Sequence, residues 1–294
     1  MNYVLQSGKK LSEKKFCSYI ERKVFKTIRK YKLIERKDKI AVACSGGKDS
    51  NTTLFLLNKF ALQNNIPRPE ALAIEEAKFR KKLLFELKRF CDSLGIELHV
   101  FSFKKEFGFF LDQKLRKIKS LGFSNCYVCS ILKRYLLNKK ARELGFTKVA
   151  TGHSLDDAAE NFLLNLLKGN AELLAKEGPL AGVRSHPFFV QRIKPLYFCS
   201  TKEIIHYSKI KKIPASLKVC PLRTLTIRVE VRKWLEKMEK KHQGVKNAIV
   251  NCMLKILPFL KQTYSDSEIL ECKKCGEPSA SGQCKACFLL EKLL

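Results

Sequence analysis

The feature that most constrains the fold is a short apolar run, Lys39-Ile40-Ala41-Val42-Ala43-Cys44, which ends in the polar turn Ser45-Gly46-Gly47-Lys48-Asp49-Ser50 and leads into a helical pattern over residues 52–62. An apolar run of that length bounded by turn residues reads as a strand buried on both faces. The alternation then recurs: residues 70–74 read as a strand, 79–94 as a helix, 96–103 as a strand, 106–118 and 129–144 as helices, 147–151 as a strand and 155–168 as a helix. Strands alternating with helices predict an α/β fold, a parallel sheet with helices on both faces. Ligands of such sheets lie at the carboxyl ends of strands. Two small polar turns fall there, the one after Cys44 and Thr151-Gly152-His153.

The first turn has the chemistry of an anion cradle. Gly46 and Gly47 let backbone amides approach an anion closely, the following helix N-terminus favours negative charge, and Lys48 adds a cation. It is not a Walker A loop, because Asp49 stands where that motif has Ser or Thr after its Lys. The chain as a whole also calls for an anionic partner. Its 58 Lys and Arg against 28 Asp and Glu leave a formal charge of +30, which points to nucleic acid ahead of membrane. A hydrophobic content of 45% excludes a disordered polycation. No apolar run reaches the roughly 18–20 residues of a membrane span, and residues 1–5 carry no signal-peptide pattern, so a cytoplasmic protein with no membrane association is expected.

Twelve cysteines in a cytosolic chain require a role other than disulfides. Cys126/Cys129 is one C-x-x-C pair, open to reading as a redox pair, half a zinc site or part of an iron–sulfur site. Cys272/Cys275 and Cys284/Cys287 are two more, eight residues apart, with Gly276 and Gly282 placed for knuckle turns; four thiolates at this spacing suit a structural Zn²⁺. Of the others, Cys17, Cys44, Cys91, Cys199, Cys220 and Cys252, most read as small buried hydrophobes. His99, His186, His206 and His242 read as surface or packing residues, and Phe107 to Phe110 as core. Beyond residue 200 the chain turns helical, with amphipathic stretches at 227–241 and 245–260 joined at Gly244, a polar linker over 262–271 and the cysteine cluster after it.

The Ser45-Gly46-Gly47-Lys48-Asp49-Ser50 string resembles the PP-loop of the ATP pyrophosphatase superfamily, and Ala150-Thr151-Gly152-His153-Ser154-Leu155-Asp156-Asp157 resembles the Thr-Gly-His-Asn-x-Asp-Asp element of its tRNA-modifying members. The segment from Cys126-Tyr127-Val128-Cys129 through Arg142, together with Cys220-Pro221, is similar to the tRNA 2-thiolation proteins, and the likeness extends from Phe16 to Cys287. The resemblance implies a tRNA uridine 2-sulfurtransferase. ATP would bind over Ala43, Cys44, Ser45, Gly46, Gly47, Lys48, Asp49 and Ser50, with Ala73 and Gly152 lining the nucleotide. Asp49 or Asp157 would hold Mg²⁺ or orient water, and Lys133 would reach the phosphates. Cys126, Cys129 and Cys220 would ligate a 4Fe-4S cluster, with zinc or a persulfide as the other role open to them. Uridine O2 is adenylated and sulfur then replaces it at C2, supplied as sulfide or by a ubiquitin-like carrier's thiocarboxylate. The wobble uridine is the expected target, with T-loop uridine as the alternative. Other classes remain: a tRNA cytidine thiolase, which normally carries a further C-x-x-C, a lysidine synthase, and a non-catalytic zinc-containing RNA-binding protein.

The likeness divides the chain into a basic N-terminal helix (1–36), a PP-loop catalytic domain (37–225), a helical tRNA-facing segment (226–262) and a C-terminal zinc ribbon (263–294). Members often form homodimers. Three departures stand out. Residues 1–16 hold no Cys or His, so the family's first zinc finger is expected to be lost. Glu75-Glu76-Ala77-Lys78 replaces the usual acidic-Gly segment, and Ser130 stands where Gly is usual.

Overall fold

A computed structural model describes every residue except 1, 2, 5–7, 184–186, 215, 217–219, 225, 266–269 and 280. A short antiparallel hairpin opens the chain, β1 (Tyr3–Val4) and β2 (Lys10–Leu11). Ser12 then occupies the N-cap position of α1 (Glu13–Lys30), whose Phe16, Ile20, Val24 and Ile28 recur at helical spacing and are buried to within 1%. Each such side chain stabilises the fold by roughly 1.5–3 kcal/mol. The opposite face carries Lys and Arg residues, so the helix is amphipathic.

The central sheet follows: β3 (Ile40–Ala43), α2 (Lys48–Asn64), β4 (Glu70–Glu75), a 3₁₀ turn at Lys78–Arg80, α3 (Lys81–Leu94) and β5 (Leu98–Ser102). Next come α4 (Phe103–Phe107), a 3₁₀ turn at Leu111–Lys114, α5 (Leu115–Ser120), α6 (Asn125–Glu143), β6 (Lys148–Ala150), α7 (Leu155–Leu167), α8 (Ala171–Ala175), β7 (Gln191–Ile193) and α9 (Thr201–Ile210). The five strands are parallel in the order β5-β4-β3-β6-β7. The chain builds outward from β3 to one edge and then returns to the other side with β6. The order therefore reverses between β3 and β6, where open α/β sheets hold their ligands. One face packs on α1, α2 and α9, the other on α6.

The remaining elements are α10 (Ile227–Lys241), α11 (Val245–Thr263), the pair β8 (Leu270–Glu271) and β9 (Pro278–Ser279), and α12 (Lys285–Leu293). Gly244, at φ +93°, makes the predicted turn between α10 and α11. Both helices pack on α7 through Val231, Leu235, Val250 and Met253. Leu289 and Leu293 of α12 are buried against Val128, Leu132 and Leu136 of α6. Among the described residues no helix is long and apolar enough to cross a membrane.

Four local expectations change. The single helix over 106–118 is split at Gly108 (φ +82°), because the chain turns there to bury Phe109, Phe110 and Leu111. The helix expected from residue 129 starts four residues earlier under a Ser124 cap, which brings Cys126 onto it. The one expected from residue 52 starts at Lys48. The linker expected over 262–271 is helical to Thr263 and ends in strand β8. Strand β7 is only three residues long, too short for a period to show, and was not anticipated.

Candidate active site

The turn after β3 is held from both sides. Ser50 Oγ accepts from Ser45 N at 3.2 Å and donates to Gly47 O at 3.0 Å, folding the loop over its own helix start. Asn51 Nδ2 donates to Pro214 O at 2.7 Å, which ties the base of α2 to the segment after α9. Gly46 sits at φ +72°, and a Cβ there would lie 2.6 Å from Leu83 Cγ. These bonds fix the amides of residues 45–48 before any ligand arrives, the condition for a pre-formed anion site. Ala73 lies one residue beyond the last β3–β4 pair, Ala43↔Leu72, and is fully buried.

Gly152, after β6, meets this loop directly. A Cβ on it would be 2.7 Å from the Asp49 carbonyl carbon and 2.8 Å from Ser50 N, so only glycine lets the two signature turns touch. Beside it, His153 Nδ1 is 2.8 Å from Thr151 Oγ1. Burial, and Lys194 nearby, push its pKa down to about 4, so the ring is neutral. Ser154, in place of the family's Asn, caps α7 in a reciprocal box: its N–H and Oγ bond Asp157 Oδ2 at 2.9 and 2.8 Å, and Asp157 N returns to Ser154 Oγ at 3.3 Å. One oxygen of Asp157 is thus committed to the cap, while Oδ1 lies 3.9 Å from Arg232.

Asp49 is poised differently. Lys48 Nζ lies 2.6 Å from Oδ2, but Oδ1 is buried with no hydrogen-bond partner among the described residues. Burial raises its pKa, and Asp157 and Asp156 push the same way against Lys48. A cavity of about 230 Å³ opens here, lined by Lys48, Asp49, Asp156, Asp157, Arg232 and Lys246 among others. Lys246 from α11 is ion-paired with Asp156, whose other oxygen accepts from Thr201 N at 2.7 Å. Arg232 from α10 bonds Glu160 at 2.7 Å.

Cys126 and Cys129 lie on the first turns of α6, exposed and half-buried, and Cys220 is half-buried on the segment that docks against that helix end. The docking bonds are Asn125 Nδ2 to Leu222 O at 3.4 Å and Thr224 N to Cys126 Sγ at 3.5 Å. Burial pushes the Cys129 thiol up to about 11, against the pull of Lys133. The three sulfurs are not all within 4.8 Å of one another, whereas those of Cys272, Cys275, Cys284 and Cys287 are. A single tetrahedral ion with 2.3 Å bonds needs sulfurs about 3.8 Å apart. The tail meets that, with Cys275 and Cys284 Sγ at 3.7 Å, and the triad does not. In the tail Gly276 (φ +69°) and Gly282 (φ +73°) make the turns, and Cys284 caps α12. Cys17, Cys44, Cys91 and Cys199 are buried as expected; Cys252 is exposed.

Sequence reading missed Glu76 and Arg80. Lys133 Nζ lies 2.6 Å from Glu76 Oε1, and Arg80 Nε 2.7 Å from the same oxygen. Arg80 also reaches Ser45 O at 3.5 Å. Glu76, 2% exposed just past β4, thereby links the loop to the cysteine-bearing helix. The signal available was the acidic pair Glu75-Glu76 at a strand end, which by itself says nothing of its partners. His99 bonds Glu70 at 2.7 Å and His206 packs on Tyr3 and Phe16, both structural roles, while His186 lies outside the described residues.

Comparison with known proteins agrees with this geometry. Residues 17–215 match the family model described as a PP-loop domain. The tRNA-5-methyluridine(54) 2-sulfurtransferase of Pyrococcus horikoshii is 34% identical over 94% of this chain and 86% of its own. The tRNA 2-thiolation protein NcsA of Haloferax volcanii is 28% identical, with 98% and 94% covered. The solved structure of the U34-tRNA thiolase NcsA from Methanococcus maripaludis with its [4Fe-4S] cluster superposes with a TM-score of 0.83 at 30% identity, covering 99% of this chain and 93% of that one. Signature turns, cysteine placement and full-length likeness converge: this chain belongs to the PP-loop family of tRNA 2-thiolation proteins and is an enzyme of the sulfurtransferase kind.

Proposed function

We propose that the chain is an ATP-dependent tRNA uridine 2-sulfurtransferase whose target is the wobble uridine. The observation that carries the reading is the meeting of two chemistries at one place. The loop of Ser45 to Ser50 and Gly152 flank the sheet's switch point, and the Glu76–Lys133 pair joins that loop to the helix bearing Cys126 and Cys129. ATP lies over Ala43 to Ser50, its phosphates on the loop amides and its base toward Ala73. Asp49, with one buried oxygen unpartnered, supplies a ligand for Mg²⁺, and Asp157 Oδ1 a second or a water contact. Lys133 offsets charge that develops on the phosphate as uridine O2 is adenylated. Cys126, Cys129 and Cys220 would hold a 4Fe-4S cluster; their sulfurs are not gathered within 4.8 Å as those of the four-cysteine tail are, which argues against a compact tetrahedral zinc site there. That group, when bound, supplies an iron position without a protein ligand for inorganic sulfur. Sulfide-level sulfur attacks C2, the C2–O2 bond breaks and AMP departs carrying O2, which leaves sulfur on C2. The sulfur arrives as sulfide or from a carrier protein's thiocarboxylate.

The wobble assignment rests on the likeness to the U34 thiolase. T-loop uridine is the second reading, because the 34% identical relative is named for position 54. The deciding experiment is anaerobic purification, iron and zinc analysis, and mapping of 2-thiouridine after incubation with ATP, sulfide and unmodified tRNA. Sulfur at position 34 supports the proposal; sulfur at 54 moves the target; no thiolation by iron-loaded protein overturns the enzymatic assignment of these cysteines.

A further inference from the structure

A pair of arginines stands beside this site without an ion-paired acid among the described residues; Glu177, the acid that acts on Arg134, is paired with Lys194. Strand register places Arg192 on a known face: Ala41, Val149 and Arg192 are successive partners across β3, β6 and β7, and the first two pack against α6. Helix α6 is fixed along the same edge. Asn138 Nδ2 donates to Phe188 O at 2.7 Å and its Oδ1 accepts from Val190 N at 3.0 Å, while Arg142 donates to Phe188 O at 2.9 Å. Moving from 142 to 138 to 134 along the helix therefore parallels moving from 188 to 190 to 192 along the chain, and sets Arg134 beside Arg192. Among the described residues neither guanidinium has a hydrogen-bonded or ion-paired partner. The nearby acids are already engaged, Glu177 with Lys194 at 2.6 Å and Glu160 with Arg228 and Arg232. Burial and the charge of Arg134 pull the Arg192 pKa down to about 10, the mark of a cation without an anion.

We propose that Arg134 and Arg192 form a phosphodiester-binding site that grips the RNA backbone next to the target uridine. This rests on the tRNA reading above and adds the contact that orients the nucleotide. Paired planar guanidiniums suit the oxygens of one phosphate. The ATP phosphates are not the natural occupant, because the loop cradle lies at the end of β3. Strand β7 is two strand positions away, roughly 10 Å at about 4.8 Å per strand. A backbone phosphate suits the distance, since an enzyme acting on a base must draw the nucleotide out and hold it by its backbone. His153, neutral and next to Gly152 in sequence, lies close enough to Arg134 to feel its charge.

The test compares wild-type protein with Arg134→Gln, Arg192→Gln and the double variant. Fluorescence anisotropy with an unmodified tRNA transcript is run across a KCl series, calorimetry uses a non-hydrolysable ATP analogue, and thermal melting is followed in parallel. Each single variant is expected to weaken tRNA binding about tenfold and to reduce the salt slope by about one. The double variant should lose little more, because both side chains hold one phosphate. ATP-analogue affinity should be unchanged, and melting temperature unchanged or higher, since like-charge repulsion is removed. Wild-type tRNA affinity and slope in both single variants overturn the proposal. So does a fall in analogue affinity with tRNA binding kept, which assigns the pair to the nucleotide, or a fall in melting temperature that accounts for the loss. Arg192→Lys, which keeps the charge, guards against misfolding of the Gln variant. If the wild-type protein shows no salt-dependent tRNA binding, the functional reading itself fails, and the two failures are thereby distinct.

Discussion

Lys133 Nζ and Glu76 Oε1 are 2.6 Å apart, and that single carboxylate oxygen also takes Arg80, so two cations from different elements converge on one buried atom. The consequence is mechanical as well as electrostatic. Arg80 leans on the loop through Ser45 O, and Lys133 stands one helical turn beyond Cys129. The nucleotide loop and the cysteine-bearing helix are therefore joined through one side chain.

Glu76→Gln is expected to cost about 3 kcal/mol, the lower end for breaking a buried pair, because Lys133 is a quarter exposed and can turn to solvent. Burial alone would raise the carboxyl pKa of Glu76, but Lys133 and Arg80 outweigh it and hold it below the usual range. Its stabilisation is thus complete above the ordinary Glu value of about 4.3 and is lost as pH falls through the lower folded value. Urea unfolding from pH 7 down to pH 3 should show a steep acid loss in the wild type. The Gln variant should lack that component, and identical acid limbs would contradict it.

Gly152→Ala should damage ATP binding more than it damages the fold. The added methyl would sit 2.7–2.9 Å from the backbone of Asp49 and Ser50, which cannot rotate away as a side chain would. Overpacking of this kind costs roughly 1–3 kcal/mol, and relief requires the loop to shift from its cradle. Calorimetry with an ATP analogue is expected to show at least a tenfold loss while tRNA affinity, which does not depend on this contact, is kept.

Asp49→Asn is expected to raise the melting temperature and abolish turnover. Burial of a carboxylate with one unpartnered oxygen disfavours its charged form, so the amide removes a cost that the fold carries for its chemistry. If Asp49 holds Mg²⁺ as proposed, losing that carboxylate leaves the charge developing on the phosphates unstabilised and is expected to cost about 10²-fold or more in rate. A variant both less stable and inactive would show that Asp49 is a structural residue.

What was legible beforehand follows the range of the interactions. The loop, the Ser154 cap and the four-cysteine tail are encoded within a few residues, and each stands where its pattern placed it. Residues 76 and 133 are 57 apart, and no local period reports that they meet. Strand β7 owes its existence to pairing with β6, and its Gln-Arg-Ile has little strand character alone. Gly108 looked like a tolerated glycine in a helix until the burial of Phe109 and Phe110 required a break there.

The tail should matter to catalysis although it lies apart from the nucleotide loop. Its link is α6: Leu289 and Leu293 bury against Val128, Leu132 and Leu136, and Glu277, 5% exposed, accepts from Asn138 Nδ2 at 2.9 Å and pairs with Arg142. A four-thiolate zinc site contributes about 10–16 kcal/mol of apparent binding free energy, enough to hold so small a unit folded. Cys284→Ser is therefore expected to lower zinc by about one equivalent, to free α12 from α6, and with it to lower the iron that Cys126 and Cys129 retain. Glu277→Ala separates the two links in that chain. It leaves all four thiols in place, so zinc should stay near one equivalent while α6 loses its buried acceptor and melts earlier. If zinc and iron content prove independent in both variants, the ribbon does not brace the cysteine-bearing helix, and its role must lie at its outer surface.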